Sequence, residues 1–172
     1  MKTLTLVRHA KSSWNESGLA DRDRPLNDRG EQDAPVMGAR LAASDIRPSL
    51  LVSSPALRAW TTARLIAAEI GYPKEFLQRE EELYLADVDS IIRVLQQQDP
   101  NFNSVMLFGH NPGLTNFANY LAPDVTSNVP TCGVIAVDIE TDDWDLSTLP
   151  ACSLRLFDYP KSNRSNLVEP GA

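Results

Sequence analysis

Short apolar runs that each give way to an amphipathic segment constrain this chain more than any other feature. Thr3–Val7, Leu50–Ser53 and Ser104–Phe108 read as buried strands, and a helical spacing of apolar residues follows each of them. Strands that alternate with helices build a parallel sheet, because parallel neighbours must be joined by a crossover. The pattern predicts an α/β fold: a three-layer sandwich with a mostly parallel central sheet and helices on both faces. The last third breaks the alternation. Gly133–Ile139 and Ser153–Phe157 flank the turn-rich Asp142-Asp143 and predict an antiparallel pair. With 172 residues, no internal repeat and no linker, the chain is expected to form one domain over 1–159, followed by a polar tail at 160–172.

Caps and breakers mark the helices. One is expected from about Gln32 to Ser44, with Val36, Met37 and Leu41 facing inward and a turn before it on account of Pro35. Ser54 and Pro55 read as N-cap and first residue of a second, which carries Ala59, Ala63, Ile66 and Ile70 on one face and stops at Gly71. Asp87 reads as the cap of a third, with Val88, Ile91, Ile92 and Leu95 at core spacing. Asn111 and Pro112 repeat the cap-then-proline device ahead of Leu114, Phe117, Ala118 and Leu121.

Charge and composition narrow the function classes. A net charge of −7 disfavours nucleic acid or an anionic membrane as partner, since both attract basic faces. No apolar run approaches the ~20 residues of a membrane helix, and the apolar stretch at the start is too short for a signal peptide. Cys132 and Cys152 read as free thiols of a cytoplasmic protein. The charge is unevenly spread: residues 1–64 hold 10 of the 16 basic side chains and 7 of the 23 acidic ones. Such asymmetry fits either scattered surface charge or a cationic pocket on an acidic body.

Both histidines lie where a strand gives way to a helix. Arg8-His9 ends the first strand, Ser53-Ser54-Pro55-Ala56-Leu57-Arg58 follows the second, and Gly109-His110-Asn111-Pro112-Gly113 follows the run at 104–108. Open α/β sheets bind ligands at the carboxyl ends of their strands, where helix N-termini offer free N–H groups and a positive dipole end. Two arginines and two imidazoles converging there would suit phosphate. Taken singly, each is ordinary: a strand-end histidine is usually a structural hydrogen-bonding residue, a helix-start arginine a surface ion pair, Ser-Ser-Pro a cap. Paired imidazoles could also hold zinc, but no metal motif with close His, Cys or carboxylate spacing is present. Neither metal nor cofactor is expected.

Arg8-His9-Ala10-Lys11-Ser12-Ser13-Trp14-Asn15 resembles the Arg-His-Gly phosphate loop of the histidine phosphatase, or phosphoglycerate mutase-like, superfamily. Ala10 replaces the glycine, a change expected to be tolerated where the backbone is ordinary. Ser53–Ala63 resembles that superfamily's second arginine segment and Gly109–Gly113 its second histidine segment, in the same order, over roughly residues 3–158. Arg24-Pro25-Leu26, Arg29-Gly30 and Asp33-Ala34-Pro35, with the small size, look most like the SixA-type phosphohistidine phosphatases. The resemblance implies that His9 takes the phosphoryl group, that Arg8, Arg58 and His110 bind its equatorial oxygens, and that Ser12 and Asn15 support them. It also implies an acidic proton donor near Glu80-Glu81-Glu82. Glu82 is the first candidate and Glu81 the next, with Asp21 or Asp23 as substitutes; a merely solvated acidic run fits equally. Electrostatics supports the clamp, because anionic oxygens repel a nucleophile unless fixed cations balance them. A guanidinium ~4 Å from a unit negative charge contributes ~4 kcal/mol at an effective dielectric of 20, before desolvation. Two arginines and a protonated His110 would form that clamp and depress the pKa of His9.

The expected activity is a metal-independent phosphatase that hydrolyses protein phosphohistidine through a phosphohistidine intermediate on the enzyme. An imidazole leaving group needs less proton donation than an alcohol, so a poorly placed acid would favour it. The nearest rival is a phosphomonoesterase for small metabolites or sugar phosphates. A mutase would need more chain for a substrate cap, and a non-catalytic phosphate-binding module is the alternative from another class. The partner is therefore a phosphorylated protein or a small phosphorylated molecule, and the sequence leaves the oligomeric state open. Trp14 and Trp60 are candidates for the pocket mouth, with apolar packing the commoner use for Trp60.

Overall fold

The computed structural model describes residues 1–162, so the expected tail lies, from 163 onward, outside the described residues. Strands β1 (Lys2–Arg8), β2 (Leu50–Ser53), β3 (Gln78–Arg79), β4 (Ser104–Gly109), β5 (Val134–Ile139) and β6 (Cys152–Asp158) form one sheet in the order β3-β2-β4-β1-β5-β6. The first four are parallel; β5 runs antiparallel to β1, and β6 antiparallel to β5. The expected architecture is the one that forms. Only β3 lacks a sequence signal, because Gln78-Arg79 carries no apolar residue.

Helices α1 (Asp28–Ala43), α2 (Leu57–Ile70), α3 (Val88–Gln96) and α4 (Gly113–Leu121) cover the two faces. Met37, Leu41 and Ile66 of α1 and α2 pack on Leu51, Met106 and Phe108; Ile91, Leu95, Leu114 and Phe117 of α3 and α4 pack on Leu6, Val52 and Leu107. Successive strand residues thus point into opposite cores, which is why the central strands are apolar throughout rather than alternating.

Three helix starts differ from the sequence reading. α1 begins at Asp28, not Gln32, because the Asn27 side chain accepts the Gly30 N–H at 2.9 Å and caps it there. Pro35 sits inside the helix, where the carbonyl it leaves unpaired belongs to the exposed Glu31. Met37 and Leu41 are buried as expected, whereas Val36 faces solvent. α2 begins at Leu57 with Ala56 as its cap residue, and Ser54 serves the site instead. α4 begins at Gly113, although Asn111 Oδ1 still accepts the Thr115 N–H at 3.3 Å. Gly71 ends α2 at φ 74°, and Asp87 caps α3 by accepting the Ser90 N–H. Cys132 and Cys152 are free thiols. Among the described residues, no helix is long and apolar enough to cross a membrane.

Candidate active site

Parallel register brings the three junctions to one edge of the sheet. Arg8 of β1 stands opposite Gly109 of β4, and Ser53 of β2 opposite Phe108. The His9 N–H donates to the Gly109 carbonyl at 3.1 Å, and the Ser54 N–H to the Phe108 carbonyl at 3.0 Å. The rings of His9 and His110 consequently lie with centres 5.3 Å apart.

A cavity of about 310 Å³ opens over this edge, walled by Arg8, His9, Ser12, Arg58 and His110 together with Lys11 and Arg24. None of its described lining residues carries a carboxylate, and four cationic side chains line it, two of them, Arg58 and Arg24, paired with Asp21 outside the lining. A wider hollow of about 400 Å³ beside Ile46 and Tyr72 has a single arginine, Arg47, and that one is engaged by the carbonyls of Ser44 and Ile46. Charge and imidazoles converge only in the smaller space.

His9 is 8% exposed, with Nδ1 2.7 Å from the Ala10 carbonyl. A carbonyl only accepts, so Nδ1 carries the proton and Nε2 is the bare nitrogen. Burial, and after it Arg58, Arg8 and Arg24, push the pKa of His9 down to about 4 against the raising effect of the Ala10 bond. The imidazole is neutral at pH 7, the state a nucleophile requires.

His110 is 4% exposed, and its Nε2 lies 2.7 Å from Ser54 Oγ. Burial first, then His9 and Arg58, push its pKa down to about 3. This corrects the protonated His110 expected above: before an anion arrives, the ring is neutral and contributes a hydrogen bond rather than a charge.

Arg58 projects from the first turn of α2 and is 3% exposed. Its Nη1 donates to the Asp21 carbonyl at 2.7 Å and its Nη2 to the Asp21 carboxylate at 2.9 Å. Thr62, one turn later, donates to the Arg58 carbonyl at 2.7 Å and accepts the Ala10 N–H at 2.9 Å, tying α2 to the loop that holds His9. Ala10 has no positive φ, so the methyl in place of glycine is accommodated. Arg8 Nη1 donates to the Val129 carbonyl at 2.9 Å. Three polar atoms stay buried and unpaired among the described residues of the site: Arg8 Nε, Arg58 Nε and His110 Nδ1. Each such atom costs roughly 1–3 kcal/mol unless a ligand takes it. The side chains that carry them all line the one cavity.

The remaining sequence candidates divide. Ser12 lines the cavity, but its hydroxyl accepts from Arg24 at 2.9 Å. Asn15 is exposed and outside the lining; its N–H turns back to Ser13 Oγ. Glu82, the expected acid, is likewise outside, paired with Arg93 at 3.3 Å, and Glu81 pairs with Arg22 at 2.9 Å. Leu83 is buried and anchors the short 3₁₀ turn Glu81–Leu83, which leaves both carboxylates facing water. Asp21 is gripped by Tyr84, Arg58 and Arg24; the Tyr84 hydroxyl above all holds its pKa down to about 2, so it has no proton to give. Asp23 lies exposed in the 3₁₀ turn Asp21–Asp23, away from the lining. None of these carboxylates is part of the cavity lining; that of Asp21 lies behind it, holding the lining Arg58 and Arg24.

Sequence reasoning gave Arg24, Thr62 and Tyr84 no part in the site and read Ser54 only as a helix cap. Arg24 is buried in the wall, and its signal was the Arg-Pro-Leu run; Tyr84 meets His110 edge-on with ring centres 5.6 Å apart. Trp14 and Leu85 form the rim, while Trp60 packs on the core beneath α2 with the Arg79 guanidinium over its ring. Among the described residues no group of three or more His, Cys, Asp or Glu could hold a metal ion.

The family model of the histidine phosphatase superfamily (branch 1) matches residues 4–113. An uncharacterized protein of Mycobacterium tuberculosis is 33% identical over 157 residues, covering 86% of this chain and 94% of that one. A structure from Agrobacterium tumefaciens, provisionally assigned as a phosphohistidine phosphatase SixA, aligns with a TM-score of 0.75 at 26% identity over 92% of this chain and 98% of that one. The protein histidine phosphatase SixA complexed with tungstate aligns with a TM-score of 0.76 at 20% identity, over 92% and 97% of the two chains.

Proposed function

This chain belongs to the histidine phosphatase superfamily, branch 1, and is a phosphatase; from that premise we propose that its substrate is phosphohistidine carried on a protein and that it works without a metal. Nε2 of His9 attacks phosphorus in line, and the new N–P bond forms as the bond from phosphorus to the substrate imidazole breaks. The departing imidazole collects a proton from solvent. Water then attacks phospho-His9, its N–P bond breaks, and inorganic phosphate leaves, with the surplus proton passing to phosphate or solvent. Arg8, Arg58 and His110 hold the equatorial oxygens through both steps, and Lys11 and Arg24 add to the positive field that offsets the phosphoryl charge. Ser12, engaged by Arg24, supports that wall.

The observation that carries the reading is a cationic lining free of carboxylates around His9, with buried unpaired nitrogens on Arg8, Arg58 and His110. An alcohol leaving group calls for a positioned acid, whereas an imidazole departs with solvent protonation alone. His9→Ala is expected to abolish phosphate release from a histidine-phosphorylated protein while retaining the wild-type circular dichroism and Tm. Wild-type turnover should be unaffected by chelator and far slower on a panel of sugar phosphates. Turnover by His9→Ala would remove the nucleophile, and a preference for the sugars would favour the monoesterase.

A further inference from the structure

Trp14 and Leu85 are large apolar side chains that line the cavity mouth yet face water, 78% and 56% exposed. Both are fixed in place despite that exposure. The Arg24 guanidinium sits 3.5 Å from the centre of the Trp14 ring, and Arg24 is itself buried and bonded to Ser12 and Asp21. One face of the indole is therefore pinned and the other is free. Leu85 has a φ of 49°, a left-handed conformation that a branched aliphatic residue adopts only under constraint from its surroundings.

That constraint is visible on both sides of Leu85. Tyr84 meets His110 edge-on and its hydroxyl donates to Asp21. The Ala86 N–H donates to the Leu83 carbonyl at 3.3 Å, and the Ala86 carbonyl closes on Gly113, where a Cβ would lie only 1.8 Å from it. Leu57, which opens α2 beside Arg58, and Leu19, two positions before Asp21, are also exposed apolar residues. Backbone strain of this kind persists at functional sites, and exposed apolar side chains on the lining of one cavity, as Trp14 and Leu85 are, mark contact surfaces.

We propose that Trp14 and Leu85 form a preorganised contact for an apolar face of the protein that presents the phosphohistidine, and so select protein-borne over small phosphorylated substrates. The inference rests on the phosphohistidine reading above. Charge and depth define the occupant. The phosphoryl group belongs at the recessed, cationic base, where His9 is 8% exposed, and the imidazole behind it reaches the mouth. The protein surface around that imidazole then meets the rim. A rigid aromatic gives up little conformational freedom on contact, which is why such residues anchor interfaces.

The test compares two P–N substrates, a histidine-phosphorylated protein and phosphoramidate, with Trp14→Ala and Leu85→Asn. Asparagine tolerates the left-handed backbone while removing the apolar side chain. The ratio of kcat/KM on the protein to kcat/KM on phosphoramidate is expected to fall by about tenfold in each variant, through KM, with Trp14→Phe restoring most of it. Equal losses on the two substrates, or no loss on the protein, overturn the rim's role and leave the phosphohistidine reading standing. A wild-type enzyme that turns over sugar phosphates faster than either P–N compound overturns both.

Discussion

Lowering the pH from 7.5 to 5.5 tests the electrostatics of the site through the stability of the fold. The chain has two histidines, and both line the cavity. Unfolded, each titrates near pH ~6.5. Folded, burial takes His9 to about 4 and His110 to about 3. Between those values the unfolded chain binds protons that the folded chain does not, so stability is full above pH 6.5 and declines as the pH falls toward 4. At pH 5.5 an unfolded imidazole is mostly protonated while its folded counterpart is nearly bare. One pH unit below the unfolded value corresponds to roughly 1.4 kcal/mol per histidine, and to roughly 2–3 kcal/mol for the pair. Asp21, held down to about 2, titrates below this window, and Cys132, pushed up to about 12, lies above it. Urea unfolding followed by circular dichroism at the two pH values measures the loss, and the double variant His9→Asn, His110→Asn should flatten it. Equal stability of the wild type at both pH values, or an unchanged pH dependence in the double variant, would refute the assignment of two neutral, desolvated imidazoles.

Three further outcomes are expected. Arg58→Ala should lower kcat on a phosphohistidine protein by about 10²–10³-fold, the usual cost of removing a fixed donor to transition-state charge; a change within about threefold would take Arg58 out of the clamp. Glu82→Gln and Glu81→Gln should leave kcat within about twofold, because both carboxylates are exposed and paired with Arg93 and Arg22. A tenfold loss in either would restore an acid to the mechanism. Gly113→Ala places a methyl 1.8 Å from the Ala86 carbonyl and should destabilise by about 1–3 kcal/mol. That corresponds to a drop of roughly 3–10 °C in Tm, and an unaltered Tm would contradict the close approach of α4 to Ala86.

The strands were legible because both of their faces are buried, so Leu51 and Val52, or Met106 and Leu107, had to be apolar in succession. Arg8, His9, Arg58 and His110 were legible for a related reason. Each sits where a strand ends or a helix begins, and parallel register leaves such positions at one edge, with Arg8 opposite Gly109. The acid was not legible, because distance along the chain does not say which way a turn faces; the burial of Leu83 turned Glu81 and Glu82 to solvent. Ser54 had the look of a helix cap, and only the adjacency of β2 and β4 gave its hydroxyl to His110. Arg24 and Asn15 depend on the path of the long first loop, which no periodicity constrains. Asn27 and Pro35 made opposing claims on the start of α1, and the cap prevailed.

A crystal structure of the protein grown with orthovanadate tests the account most directly. Vanadium should be bonded to Nε2 of His9, with Arg8, Arg58 and Nδ1 of His110 donating to its equatorial oxygens. Vanadate bound elsewhere, or seated in the cavity with His9 turned away and Arg58 still held only by Asp21, would contradict it.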